Sequence, residues 1–64
     1  MKNRLREIRE EKGISQEELS ERSGVSRTTI SELETEKREV TTNITLNKIA
    51  TALGEKVSNI FFIN

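Results

Sequence analysis

Few residues in this chain could make or break a covalent bond. Its 64 residues include no His, no Cys and no Asp, all eleven acidic residues being Glu. A serine with no imidazole to deprotonate it is inert, and no lysine lies in an apolar stretch that would lower its pKa. A metal would find neither thiolate nor imidazole. The chain is therefore expected not to be an enzyme and to use no metal and no cofactor. A helical domain this small has little room for a pocket, so no small-molecule ligand is indicated. What remains is hydrogen-bond chemistry. The stretch "ISQEELSERSGVSRTTISELE", residues 14–34, concentrates hydroxyls, carboxylates, one amide and two arginines. Such groups recognise; they do not react.

Recognition requires that these groups be held in place, and the apolar spacing says by what. Every apolar interval is helical, and no window alternates with period two long enough for a strand. Leu5 and Ile8 mark a first helix over residues 2–12, ended by Gly13. Ser15 and Glu18 form a capping box that opens a second helix, which Gly24 stops. Ser26 is the next N-cap, and Ile30 and Leu33 follow on the inner side of a third helix. "TEKREVTTN" reads as a loop. Thr42 caps a fourth helix that carries Leu46, Ile49, Ala50 and Leu53 and closes at Gly54. A last short turn from Val57 presents Ile60 and Phe61. The fold class is all-α: one compact five-helix domain over residues 1–64, with no repeat, linker or internal boundary.

Helices two and three are joined by "SGVS" alone, so they must cross steeply, as in a helix-turn-helix. Ser20 is small enough for a close contact there, and Gly24 reverses the chain without a Cβ clash. With Ile30 and Leu33 inward, 100° per residue sends Thr28, Ser31, Glu32 and Thr35 outward. Arg27 stands at the open N-terminal end of that face. The third helix is held from behind and displays short hydroxyls, one Arg and one Glu.

Eleven basic and eleven acidic residues cancel, which counts against a nucleic-acid binder. Their distribution matters more than their sum. Lys2, Arg4, Arg6, Arg9 and Lys12 crowd the start, Lys37 and Arg38 sit together, and glutamates fill the middle. A neutral total can hide a basic edge. The basic start has no apolar run behind it, so it is no signal peptide, and no stretch could span a membrane. The absence of Cys fits a reducing cytosol, and the chain is expected to be cytoplasmic and nucleoid-associated. A short domain with no disulfide and no structural metal must draw its stability from packed helices, from a second copy, or from both.

"SQEELSERSGVSRTTISELE" resembles the helix-turn-helix of the phage repressor and Cro proteins, the Cro/CI-type or XRE family. "LREIREEKGISQ" is similar to that family's first helix and its junction, and "TLNKIATALG" followed by "VSNIFF" to its fourth and fifth helices. The resemblance implies a five-helix domain that binds a double-stranded DNA operator as a two-fold homodimer and regulates transcription as a repressor. Where the family ends its recognition helix with Asn or Gly, this chain has Thr35 and Glu36. Where Pro or Ser commonly opens the fourth helix, it has Thr41 and Thr42.

Carried over by position, the resemblance implies that Arg27, Thr28 and Glu32 read base edges. It places Ser15 and Gln16 on backbone phosphate, where free N–H groups and the positive end of a helix independently attract an anion. Ser15 can cap its helix at the same time. Ser26 and Thr29 are expected at the backbone or in packing, and Lys37 and Arg38 at phosphate. Arg9 and Glu34 match a pair that ties the recognition helix to the scaffold; the alternative is two solvated charges. The Lys2, Arg4 and Arg6 run reads as a solvated face, with a DNA-facing arm as its alternative. At the chain end, Ile60 and Phe61 can bury against Leu46, Ile49 and Leu53, and the apolar end formed by Ile60, Phe62 and Ile63 is expected to supply the two-fold contact. One rival function stands beside DNA binding: the same fold can be a protein-interaction module, such as an antitoxin-like partner, which zero net charge and the displayed Glu32 favour.

Overall fold

The computed structural model describes residues 2–37 and 42–62. In chain order these form a short strand β1 (Lys2–Asn3), helices α1 (Leu5–Glu11), α2 (Gln16–Ser23), α3 (Arg27–Glu34), α4 (Asn43–Leu53) and α5 (Val57–Ile60), and a second strand β2 (Phe61–Phe62). All five expected helices are present. Three of them begin on a side-chain cap. Ser15, Ser26 and Thr42 accept from the backbone N–H of Glu18, Thr29 and Thr45 at 3.0, 3.1 and 3.2 Å. Each such cap stabilises its helix by about 1 kcal/mol. α2 stops at Gly24, whose φ of 75° is left-handed and whose N–H returns to the Ser20 carbonyl.

α3 ends differently. Thr35 is its C-cap, and Glu36 takes the left-handed position with φ 59°. The Lys37 N–H then donates to the Glu32 carbonyl at 2.9 Å, satisfying a helix-end acceptor. A side chain in that backbone region costs about 1 kcal/mol relative to glycine. Arg38 lies outside the described residues.

The core is assembled from one face of every helix. Leu5 and Ile8 come from α1, Leu19 from α2, Ile30 and Leu33 from α3, Leu46, Ile49, Ala50 and Leu53 from α4, and Ile60 from α5. Ile14, Val25 and Phe61 close it from the connections and β2. Fully burying a Leu or Ile side chain stabilises by about 1.5–3 kcal/mol. α2 packs on both α3 and α4, so the helix-turn-helix is set against the rest by α2. Among the described residues no buried side-chain nitrogen or oxygen lacks a partner.

Two expectations are corrected. α1 begins at Leu5 rather than at residue 2, because residues 2–3 are extended. They pair antiparallel with β2, Lys2 opposite Phe62 and Asn3 opposite Phe61, and the Arg4 N–H donates to the Ile60 carbonyl at 2.7 Å. Asn3 holds the bend: its Oδ1 accepts from the Leu5 N–H at 3.0 Å, and its Nδ2 donates to the Leu33 carbonyl at 2.8 Å. The second correction concerns Ile60. It is fully buried in its own chain, so it has no surface to offer a second copy. Strand geometry alternates the residues that follow: Phe61 is 3% exposed and Phe62 40%. Ile63 lies outside the described residues.

Candidate nucleic-acid interface

The face opposite the α3 core contacts is built by local rules. Ile30 and Leu33 are buried, so the helical period turns Thr28 to solvent, and Arg27 is exposed because it opens the first turn of α3. Glu32 and Ser31 are half-buried beside them. Lys37, just beyond the helix, is exposed. The turn before α3 is locked from two sides. Ser20 donates its hydroxyl to the Val25 carbonyl at 2.7 Å, and Ser23 Oγ accepts from the Val25 N–H at 3.1 Å. Ser20 is thus more than a small residue at a crossing; its hydroxyl fixes the angle at which α3 leaves α2.

Ser26 and Thr29 are engaged with each other. The Ser26 hydroxyl accepts from the Thr29 N–H and donates its one proton to Thr29 Oγ1 at 2.8 Å. Ser26 therefore has no hydroxyl proton left for a phosphate, whereas the Thr29 hydroxyl still carries one. Ser15 caps α2 through its lone pair, and its own proton is not used by that bond.

At the other end of α3, Arg9 and Glu34 meet in a forked pair. Arg9 Nε donates to Glu34 Oε2 at 2.6 Å and Nη2 to Oε1 at 3.1 Å. Arg9 Nη1 also donates to the Ile14 carbonyl at 2.8 Å. The two side chains are 11% and 2% exposed, so this is a shielded pair. The hydrogen bond to Glu34 holds the Arg9 pKa above its ordinary value, against the opposing effect of burial. Gln16 joins the same carboxylate, its Nε2 donating to Glu34 Oε1 at 3.1 Å. One acidic side chain therefore connects α1, the start of α2 and the end of α3.

Ion pairs neutralise five of the described cations on the scaffold. Arg4 lies 3.0 Å from Glu7, Arg6 3.4 Å from Glu10 and Lys12 3.2 Å from Glu55, while Arg22 pairs with Glu18. Together with Arg9 these cations are neutralised on the scaffold. Arg27 and Lys37 make no ion pair among the described residues. Arg4 and Arg6 of the N-terminal run are thus offset by their own helix. Of the five described cations outside any ion pair, Arg27 and Lys37 flank α3, and Lys2, Lys48 and Lys56 lie on β1, on α4 and before α5. Exposed pairs of this kind add little to stability; their effect here is on where the positive potential lies.

Sequence reasoning missed one residue of this region and one bond. Asn3 ties the end of α3 to β1, and nothing local announces a bond across thirty positions. Gln16 was assigned to phosphate without its bond to Glu34. An open groove of about 580 Å³ also lies between the end of α2 and α4, lined by Arg22, Ile44, Lys48 and Ala52 among others, with Ile44 66% exposed. No group of acidic residues among the described residues could hold a metal ion.

Comparison with known proteins agrees with this geometry. A helix-turn-helix family model matches residues 5–60. A protein of Methanothermobacter thermautotrophicus described as an uncharacterized HTH-type transcriptional regulator is 45% identical over 65 residues, a match that spans all of this chain and 93% of the relative.

Proposed function

The chain belongs to the Cro/CI-type helix-turn-helix family of DNA-binding transcription regulators, and from that premise we propose that it is a homodimeric repressor of a near-palindromic operator. α3 enters the major groove with its N-terminal end foremost. Arg27 is long, charged and exposed at that end, and its favoured partner is guanine through O6 and N7. Thr28 adds a hydroxyl contact or packs its methyl on thymine, and Glu32 accepts from a cytosine amino group. Gln16, Ser15, Thr29, Lys37 and Arg38 serve the phosphate backbone, which fixes register without reading sequence. Phe62, exposed beside a fully covered Ile60 and Phe61, is the two-fold contact, assisted by α4.

The observation that carries this reading is the division of charge. Arg4, Arg6, Arg9, Lys12 and Arg22 are held by carboxylates; of the five described cations without one, Arg27 and Lys37 bracket a helix anchored from behind by Ile30 and Leu33, while Lys2, Lys48 and Lys56 lie on other elements. Retention on a nonspecific duplex, measured against salt, tests it. If Lys37 and Arg38 of two copies each neutralise a phosphate, log K should fall with log salt at a slope of roughly −4. A chain indifferent to duplex even at low salt is instead the protein-interaction module.

A further inference from the structure

The Glu34 carboxylate serves more partners than an ion pair needs. Beyond the two bonds from Arg9, its Oε1 accepts from Gln16 Nε2 at 3.1 Å, and the side chain is 2% exposed. An ionised carboxylate can only accept, and a primary amide carries two N–H bonds on one side and an oxygen on the other. Glu34 therefore admits one orientation of the Gln16 amide. A flipped amide would set its oxygen against the carboxylate, with nothing to share.

The geometry points to Glu34 as a positioning residue for the DNA backbone contact. By taking one Gln16 N–H, it fixes the amide with the second N–H available to a phosphate oxygen at the start of α2. Because Glu34 is also clamped by Arg9 and sits on the last turn of α3, the same group sets the phosphate contact and the recognition helix in a common frame. This inference rests on the DNA-binding reading above. A glutamine at position 34 offers its neighbour either a donor or an acceptor, so the Gln16 amide would no longer be held one way round.

The test is a cycle of Gln16→Ala, Glu34→Gln and the double variant, with binding to a nonspecific duplex measured well below each melting midpoint. Gln16→Ala should weaken binding roughly tenfold, the worth of a hydrogen bond to a charged group. Glu34→Gln should weaken it about threefold, equally on all sequences, and add nothing further in the Gln16→Ala background. If Glu34 only repels phosphate or restrains Arg9, Glu34→Gln raises affinity instead; that result, or additivity of the two losses, overturns the inference. Should Glu34→Gln fail to fold, the parent answers alone. During titration with duplex, NMR should show one Gln16 side-chain amide proton moving while the other keeps its shift; movement of neither, or of both, overturns it. A parent that binds no duplex removes the DNA reading itself, and this inference with it.

Discussion

Removing Arg9 should be among the most damaging single changes to this fold, and the pair geometry says by how much. In Arg9→Gln the Glu34 carboxylate, 2% exposed, keeps only the neutral Gln16 donor, and the Ile14 carbonyl loses the guanidinium that served it at 2.8 Å. A stranded buried charge costs about 3–5 kcal/mol. The surviving Gln16 bond places Arg9→Gln near the lower end of that range, at about 3–4 kcal/mol. Glu34→Gln should cost less, about 2 kcal/mol, because Arg9 is 11% exposed and retains its bond to Ile14. The double variant strands neither charge, so its loss should fall short of the sum by about 2 kcal/mol. A domain of 64 residues has about 3–10 kcal/mol in total, so either loss is large. With a urea m-value of roughly 1 kcal/mol per molar, Arg9→Gln should lower the midpoint by about 3 M. Urea unfolding of the four proteins, followed by circular dichroism, measures the cycle. Strict additivity, or equal losses below 1 kcal/mol, would show that the pair behaves as two solvated charges and refute the reasoning.

Glu36→Gly should raise stability by about 1 kcal/mol, read as a higher urea midpoint, because glycine relieves the left-handed backbone at φ 59°; a loss contradicts the strain. Glu7 and Glu55 are held below their ordinary pKa of 4.5, Glu7 chiefly by the hydrogen bond from Arg4 and Glu55 chiefly by that from Lys12. Carboxyls lowered by folding stabilise above the unfolded value and lose that effect as pH falls through the folded one, so Tm should hold from roughly pH 7 to 5 and fall below it. Lys12→Gln should remove part of that fall, and an unchanged acid limb contradicts the assignment. Phe62→Ser should convert a dimer to a monomer in sedimentation at micromolar concentration, and a parent that is already monomeric there ends the proposed two-fold contact.

Local signals were legible and long-range ones were not. Ser15, Ser26 and Thr42 announce three helix starts because a cap bonds within three residues of itself. Ile30 and Leu33 orient α3 because helical periodicity alone sets its buried face. The strand pair escaped detection because residues 2–3 meet 61–62, and two residues per strand carry no alternation to read. That pairing also moved the start of α1 and left Ile60 wholly inside. The departure from Asn or Gly at position 36 was visible as residue type, but its consequence, a glutamate in the left-handed region, belongs to the backbone. At the interface, Thr28 follows from periodicity and Arg27 from its place just after the Ser26 cap. The Gln16 bond to Glu34 joins positions eighteen apart and emerges only once α1, α2 and α3 have packed.

Selection of bound sequences from random duplexes, by the parent and by Arg27→Ala, tests the central claim most directly. The parent should enrich a near-palindrome whose half-sites lie about ten base pairs, or 34 Å, apart. Arg27→Ala should weaken binding and relax preference for guanine at one position in each half-site, with about 1–3 kcal/mol of discrimination lost there. A uniform loss of affinity with the base profile unchanged would make Arg27 a phosphate anchor, and contradict the claim that α3 reads sequence through it.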